Sequence, residues 1–228
     1  MSVKGSMALG FFADFIKYFH IFGPAALMTL EITAMGIGVG LVLGLIFALL
    51  RLAKNPILNL PAKGYIWVIR GTPLLLQLLM LYYGLAEVLL LPNLPAAALA
   101  LGIHNGAYIA EIFRGAIQSV DRGQREAGIS IGMTKWQVMQ RIILPQAFKI
   151  AVPSLSNQFI IALKDSSLAS SIGVYELLLR AKQLGAANWK PMEMYGIAAV
   201  FYLFMTSILT VVTNLIERRL NVSSRRMV

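Results

Sequence analysis

The chain has 228 residues, of which 58% are hydrophobic and only 13% charged, with a formal net charge of +10. Soluble domains are about 45–50% apolar and about 25% charged, so a water-soluble enzyme is disfavoured, and a mean hydropathy of +0.72 makes a bilayer the expected solvent. The absence of cysteine excludes disulfides, thiolate catalysis and Cys-ligated zinc; two histidines leave little for a metal centre; and the basic residues punctuate apolar runs where a nucleic-acid binder would gather them on one soluble face.

The chain opens with Phe11, Phe12, Phe15, Ile16 and Phe19 at helical spacing and with Asp14 and Lys17 between them. Those charges interrupt any signal-peptide core, and the pattern suits a retained helix lying in the membrane interface over residues 1–20. Five later stretches reach the roughly 20 residues that a helix needs to cross a hydrocarbon core: 22–50, 65–91, 96–120, 150–174 and 196–216. Sorting Lys and Arg by alternate sides puts twelve on one face, among them Arg51, Lys63, Arg122, Arg141 and Arg218, and five on the other. By the positive-inside rule the larger group is cytoplasmic. The expected fold is therefore all-α and polytopic, with five transmembrane helices, the N-terminus outside and the C-terminus cytoplasmic. Residues 21–220 form the membrane domain, and 221–228 a basic cytoplasmic tail.

In the first span Gly36, Gly40 and Gly44 are four apart and line one helix face, which lets another backbone approach closely. That partner is either a helix of this chain or a second copy. The second span carries Arg70-Gly71-Thr72-Pro73, followed by Gln77. Pro73 has no amide hydrogen, so the carbonyl of Ile69 loses its helical partner and the helix kinks or unwinds there. In the third span Asn105 precedes Glu111 and Arg114, which can pair at i, i+3. The fourth carries Asn157 and then Lys164-Asp165. Neighbouring helix positions diverge by about 100°, so at least one of this pair faces a polar cavity. Polar and ionisable groups inside spans are expensive and usually functional or paired, which makes Gln77, Asn105, Glu111, Asn157, Lys164 and Asp165 the candidate substrate-binding residues.

Between the third and fourth spans, residues 121–149 are polar and basic but carry Trp136, Met139, Ile142 and Ile143 at helical spacing. Such an amphipathic helix cannot span and offers its apolar side to a protein or to the bilayer surface. Gly128-Ile129-Ser130-Ile131-Gly132 also satisfies the G-x-S-x-G pattern of a hydrolase elbow, but no strand precedes it and the acid and base partners are missing.

Glu126, Ala127, Gly132, Ile142, Leu144 and Pro145 resemble, at matching spacing, the EAA motif of the membrane subunits of bacterial ATP-binding-cassette importers, with Gly128 where the motif has its second Ala. Arg70-Gly-Thr-Pro-Leu, the segment from Gly106 to Gly115, and Lys164-Asp165-Ser-Ser-Leu resemble the polar-amino-acid branch of that family. The resemblance implies a dimerising five-helix permease of the cytoplasmic (inner) membrane, paired with a second copy or a homologous permease. It also implies two cytoplasmic ATPases and an extracytoplasmic amino-acid-binding protein as partners. Glu126, Ala127, Gly128, Gly132, Leu144 and Pro145 would form the short coupling helix and its support. The chain has no G-x-x-x-x-G-K-[ST] phosphate loop, so no cofactor of its own is expected and Mg-ATP would sit on the partner. Glu111 and Asp165 together lean weakly towards a basic amino acid such as arginine or histidine. The competing reading is a self-contained secondary transporter or channel driven by protons or sodium, which would use the buried charges but leave residues 121–149 without a task.

Overall fold

A computed structural model describes residues 3–86 and 90–220, with side chains from residue 10 onward. The expected tail at 221–228 and residues 87–89 of the second stretch lie outside the described residues. The described part is built of α-helices: α1 (Val3–Leu52), α2 (Pro56–Gly71), α3 (Leu74–Gly84), α4 (Asn93–Ser119), α5 (Arg122–Ser130), α6 (Lys135–Val138), α7 (Leu144–Asp165), α8 (Leu177–Asn188) and α9 (Pro191–Arg219). A π turn at Met139–Ile143 joins α6 to α7, and a 3₁₀ turn at Ser166–Ile172 follows α7.

Three of these are long and apolar enough to cross a membrane: residues Gly10–Leu52 of α1, α4 and α9. The α2–α3 pair qualifies only jointly and is bent by 106°. α7 has 22 residues, long enough to cross, but Lys149, Gln158, Lys164 and Asp165 dilute its apolarity and it is not among them. The expected fourth stretch, 150–174, also ends differently from its prediction: the helix stops at Asp165, tightens, and turns at Gly173, whose φ of 80° favours a residue without a Cβ.

α4 lies inside the bundle, with 72% of its most apolar window buried against 22% for α9. Its main neighbour is α1, and the contact is made by small residues on both sides. A Cβ on Gly36 would meet Leu101, one on Gly40 would meet Asn105 and the Gly102 carbonyl, and one on Gly44 would meet Ile109 and the Ala110 amide. In return Gly102 faces Val39 and Gly106 faces Leu43. The stripe in α1 therefore packs within this chain. Tyr65 adds α2 to the pair, stacking on Phe47 and donating to the Ile103 carbonyl at 2.6 Å.

α1 passes through residue 20 without a break, and Pro24 lies within it. Phe15, Phe19 and Phe22 pack against Phe201 of α9, with ring centres 5.9, 5.6 and 5.8 Å apart. Tyr18 donates to Asn188, and Lys190 donates to the Asp14 carboxylate at 2.7 Å. The aromatic stretch is thus bound to α8 and α9 and continuous with the first span. Nearby, Glu176 has no exposed surface and caps α8: its carboxylate accepts from the Leu178 and Leu179 amides and from the Tyr202 hydroxyl. A fully buried carboxylate with three donors is a structural tie, here between the start of α8 and α9.

Candidate functional site

The break between α2 and α3 is where Pro73 places it. Gln77, one turn into α3, reaches back across it: its amide nitrogen donates to the Ile69 carbonyl at 2.8 Å, to the Thr72 carbonyl at 3.1 Å and to the Thr72 hydroxyl at 2.8 Å. The carbonyl orphaned by the proline is thereby satisfied. The other end of the same amide meets His104 Nδ1 of α4 at 3.0 Å. Because the nitrogen is committed to carbonyls, Gln77 presents its oxygen to His104, so Nδ1 carries the ring proton. The candidate substrate residue Gln77 is here a pin that fixes the bend and ties it to α4. Gln77→Leu strands the Ile69 and Thr72 carbonyls and the His104 donor, each costing about 1–3 kcal/mol if buried from water. Thermal unfolding of the purified protein in detergent should show a lower midpoint, by about 2–4 °C per kcal/mol lost. Gln77→Glu, which cannot donate when ionised, should fall as well; an unchanged midpoint in both variants would contradict the pin.

Asn105 has no exposed surface, donating to Leu101 O at 2.7 Å and accepting from Gln158 Nε2 of α7 at 2.7 Å. It stitches α4 to α7. Asn157, next to Gln158, is exposed on α7. Lys164 and Asp165 diverge, as their adjacency requires: Lys164 is exposed, while Asp165 is half-buried and borders a cavity of about 10 Å³, room for about one water, with Leu74, Leu78 and Ala100. Glu111 is held by Arg114, whose Nε donates to both carboxylate oxygens and whose Nη2 adds a contact at 2.8 Å; Arg114 Nη1 reaches Gln118. Of the six candidates, then, Asp165 combines a charge with a bordering cavity, and Glu111 borders a groove of about 800 Å³ between α1, α2 and α4. Gln158, His104 and Glu176 were not singled out from the sequence. Gln158 and His104 carry a usable signal, a polar residue within an apolar run, whereas Glu176 lies outside the five apolar stretches.

The segment carrying the EAA spacing is a compact helix–turn–helix. Asp121 caps α5 through Gly123 N at 2.7 Å. Gly128 is buried, and a Cβ there would come within 2.8 Å of Val138 and 2.9 Å of Ile142. Glycine at this position lets α5 lie directly on the π turn, closer than the alanine of the motif would. Gly132 turns the chain with φ of 84°, a left-handed conformation that costs other L-residues about 1–2 kcal/mol. Thr134 and Gln137 then form a capping box that starts α6. Pro145 cannot donate to the Arg141 carbonyl, and the π turn just before it widens the helix where its ring needs room. Leu144 is half-buried against this core, and its amide closes the π turn on the Met139 carbonyl. Glu126 and Ala127 are exposed, as are Ile129, Ile131 (78%) and Trp136 (61%), so the outer side of the unit sets apolar side chains among charged ones. Ser130 donates to Glu126 O at 2.9 Å from the last turn of α5; it sits at no strand–helix elbow.

Residues 40–224 match the family described as binding-protein-dependent transport system inner membrane component. The chain is 40% identical over 200 residues to the glutamine transport system permease protein GlnP of Escherichia coli (strain K12), covering 86% of this chain and 91% of that one. It is 41% identical over 207 residues to the L-cystine transport system permease protein TcyB of Bacillus subtilis (strain 168), covering 90% and 88%. Its structure superposes with a TM-score of 0.85 on a crystal structure of an amino acid ABC transporter with histidines, at 40% identity over 91% of this chain and 98% of that one. An inward-facing form of the MetNI methionine ABC transporter shares the fold, with a TM-score of 0.77 at 20% identity.

Proposed function

Because the chain belongs to the family of binding-protein-dependent transport system inner membrane components, we propose that it works as one half of a passive pathway whose movement is driven by ATPases seated on α5. Its place in that family makes it a multi-pass permease subunit, in the cytoplasmic (inner) membrane, of an amino acid ATP-binding-cassette importer. In the proposed arrangement five crossings are made by α1, the bent α2–α3 pair, α4, α7 with its 3₁₀ turn, and α9, with the N-terminus outside and the C-terminus in the cytoplasm. Twelve of the Lys and Arg then lie on the cytoplasmic side, in keeping with the positive-inside rule. Mg-ATP is held by the partner ATPases. A second copy or a homologous permease completes the pathway, and an extracytoplasmic receptor delivers a polar amino acid.

The observation that carries this reading is the α5–turn–α6 unit: an element packed through Gly128 that exposes Glu126, Ala127, Ile129, Ile131 and Trp136. It is anchored through Gly128 and the π turn to α7, so a push on α5 reaches Asp165 along one continuous helical path from Lys135. The gradient-driven alternative leaves that unit without a role, and it loses Glu111 as a free ion site because Arg114 neutralises it. The lean towards a basic amino acid loses the same carboxylate and rests on Asp165.

Asp165→Asn tests the pocket. In proteoliposomes holding the permease with its ATPase and receptor, ATP-driven uptake should fall at least about tenfold while the complex still assembles. Loss of uptake and of assembly in the same proportion would make Asp165 a structural residue.

A further inference from the structure

The groove beside Glu111 is more specific than a gap between helices. Leu60, Lys63, Gly64, Trp67, Arg70 and Gly71 recur along one side of α2, all of them exposed, with Arg51 at the end of α1 and Tyr108 and Glu111 of α4 as the other wall. Lys63 and Arg70 are two turns apart, about 10 Å along the helix axis, so the cations are stacked in depth from the α1–α2 corner towards the break at Gly71. Glu111 is the one acidic residue bordering the groove, and Arg114 has already claimed it with a bidentate pair. Among the described residues no carboxylate lies within 4.0 Å of Arg51, Lys63 or Arg70. Arg70 rests on the Tyr108 ring at 5.2 Å, an interaction that positions the guanidinium without neutralising it. Three cations along one groove whose single carboxylate is already paired give it a positive potential that draws in anions.

We propose that the groove is the inner section of the translocation path and that Lys63 and Arg70, with Arg51 at its mouth, receive the substrate's α-carboxylate as it leaves the membrane. Trp67 (79% exposed) and Leu60 offer the apolar surface along which a side chain slides. The inference rests on the permease reading and deepens it, because it assigns a charge preference. A path lined by three cations and a single carboxylate already held by Arg114 favours neutral and acidic amino acids and opposes a substrate with net positive charge, against the lean that Asp165 alone would support.

The absence of cysteine from the chain allows a direct test. A Cβ on Gly64 meets nothing within 4 Å, so Gly64→Cys places a single thiol in the groove without disturbing it. In the assembled complex, its labelling rates with an anionic (sulfonatoethyl) and a cationic (trimethylammonioethyl) methanethiosulfonate are compared, and their ratio is referred to that of free 2-mercaptoethanol. Clefts lined by one sign of charge concentrate the opposite ion by about tenfold or more. The anionic reagent should therefore be favoured by at least about tenfold, and the bias should fall to within about twofold when Lys63→Gln and Arg70→Gln are added. A ratio equal to that of the free thiol, or no labelling by either reagent, overturns the proposal. Uptake across a panel of the twenty amino acids forms the second arm. Transport of neutral or acidic members that drops at least about tenfold in the Lys63→Gln, Arg70→Gln variant supports carboxylate passage; uptake of those members unaffected by the two changes, or arginine taken up fastest by the unaltered chain, contradicts it. If no amino acid is taken up although the labelling bias is intact, the permease reading fails, and carboxylate passage with it, while the charge of the groove stands.

Discussion

Gly44→Val should remove the protein from the membrane fraction almost entirely. The Cβ alone would fall within 2.7 Å of Ile109 Cβ and 3.2 Å of the Ala110 amide, both belonging to the backbone-proximal part of the most buried helix. Ile109 is 1% exposed and sits among Ile37, Ala48 and Phe113, so it has nowhere to retreat. Overpacking costs about 1–3 kcal/mol where a core can adjust. Here α1 and α4 must separate, and the close packing of small residues is what holds helices together in lipid, where no hydrophobic driving force acts between them. Gly38→Ala is the matched control: it lies on the same helix, its Cβ meets nothing within 4 Å, and helix propensity favours it by up to about 1 kcal/mol. Membrane-fraction yield and the unfolding midpoint in detergent give the comparison. Equal yields for the two variants would mean that the α1–α4 contact does not organise the bundle.

Gly132→Val should uncouple the transporter without unfolding it. No atom lies within 4 Å of a Cβ built there, so space is not the difficulty. The difficulty is the φ of 84°, which a β-branched residue adopts at a cost above the about 1–2 kcal/mol of an ordinary one. The turn between α5 and α6 would relax to another geometry, and Glu126, Ala127 and Ile129 would be re-aimed relative to α7. ATP-driven uptake in proteoliposomes should fall at least about tenfold while insertion is unchanged, whereas Gly132→Asn, which tolerates the left-handed region, should retain most of it. If valine and asparagine are equally active, the turn does not transmit force.

These two glycines show what the sequence discloses and what it withholds. The four-residue spacing of Gly36, Gly40 and Gly44 announces a close helix contact, because a smooth face has a single physical use. Its partner was hidden, since Gly102 and Gly106 sit some sixty residues away and nothing local points from one stripe to the other. The same limit applies at the broken helix. Pro73 forecasts the orphaned Ile69 carbonyl, but the donor that fills it also ties to His104, 27 residues further along the chain, so Gln77 reads in sequence as a polar group waiting for a ligand. The helical character of residues 121–149 and its apolar side are local properties and were legible, down to the small residue at 128. The end of α7 was not: hydropathy continues through Ser166–Ile172, and only the 3₁₀ tightening and the Gly173 turn reveal that the helix stops at Asp165. Local periodicity also suggested a separate interfacial helix before residue 21, whereas tertiary contacts with Phe201, Asn188 and Lys190 accompany one unbroken α1.

The measurement closest to the centre of this account is a proximity test at the tip of α5. Ile129→Cys, in a chain that otherwise has no cysteine, places one thiol on the exposed side of the α5–turn–α6 unit, and a short bifunctional maleimide–amine reagent is applied to the complex in its native membrane. The account predicts a cross-linked product containing the co-purifying ATPase subunit, with a yield that changes when ATP is added. Efficient thiol labelling accompanied by no cross-link to any second polypeptide, with or without ATP, would contradict it.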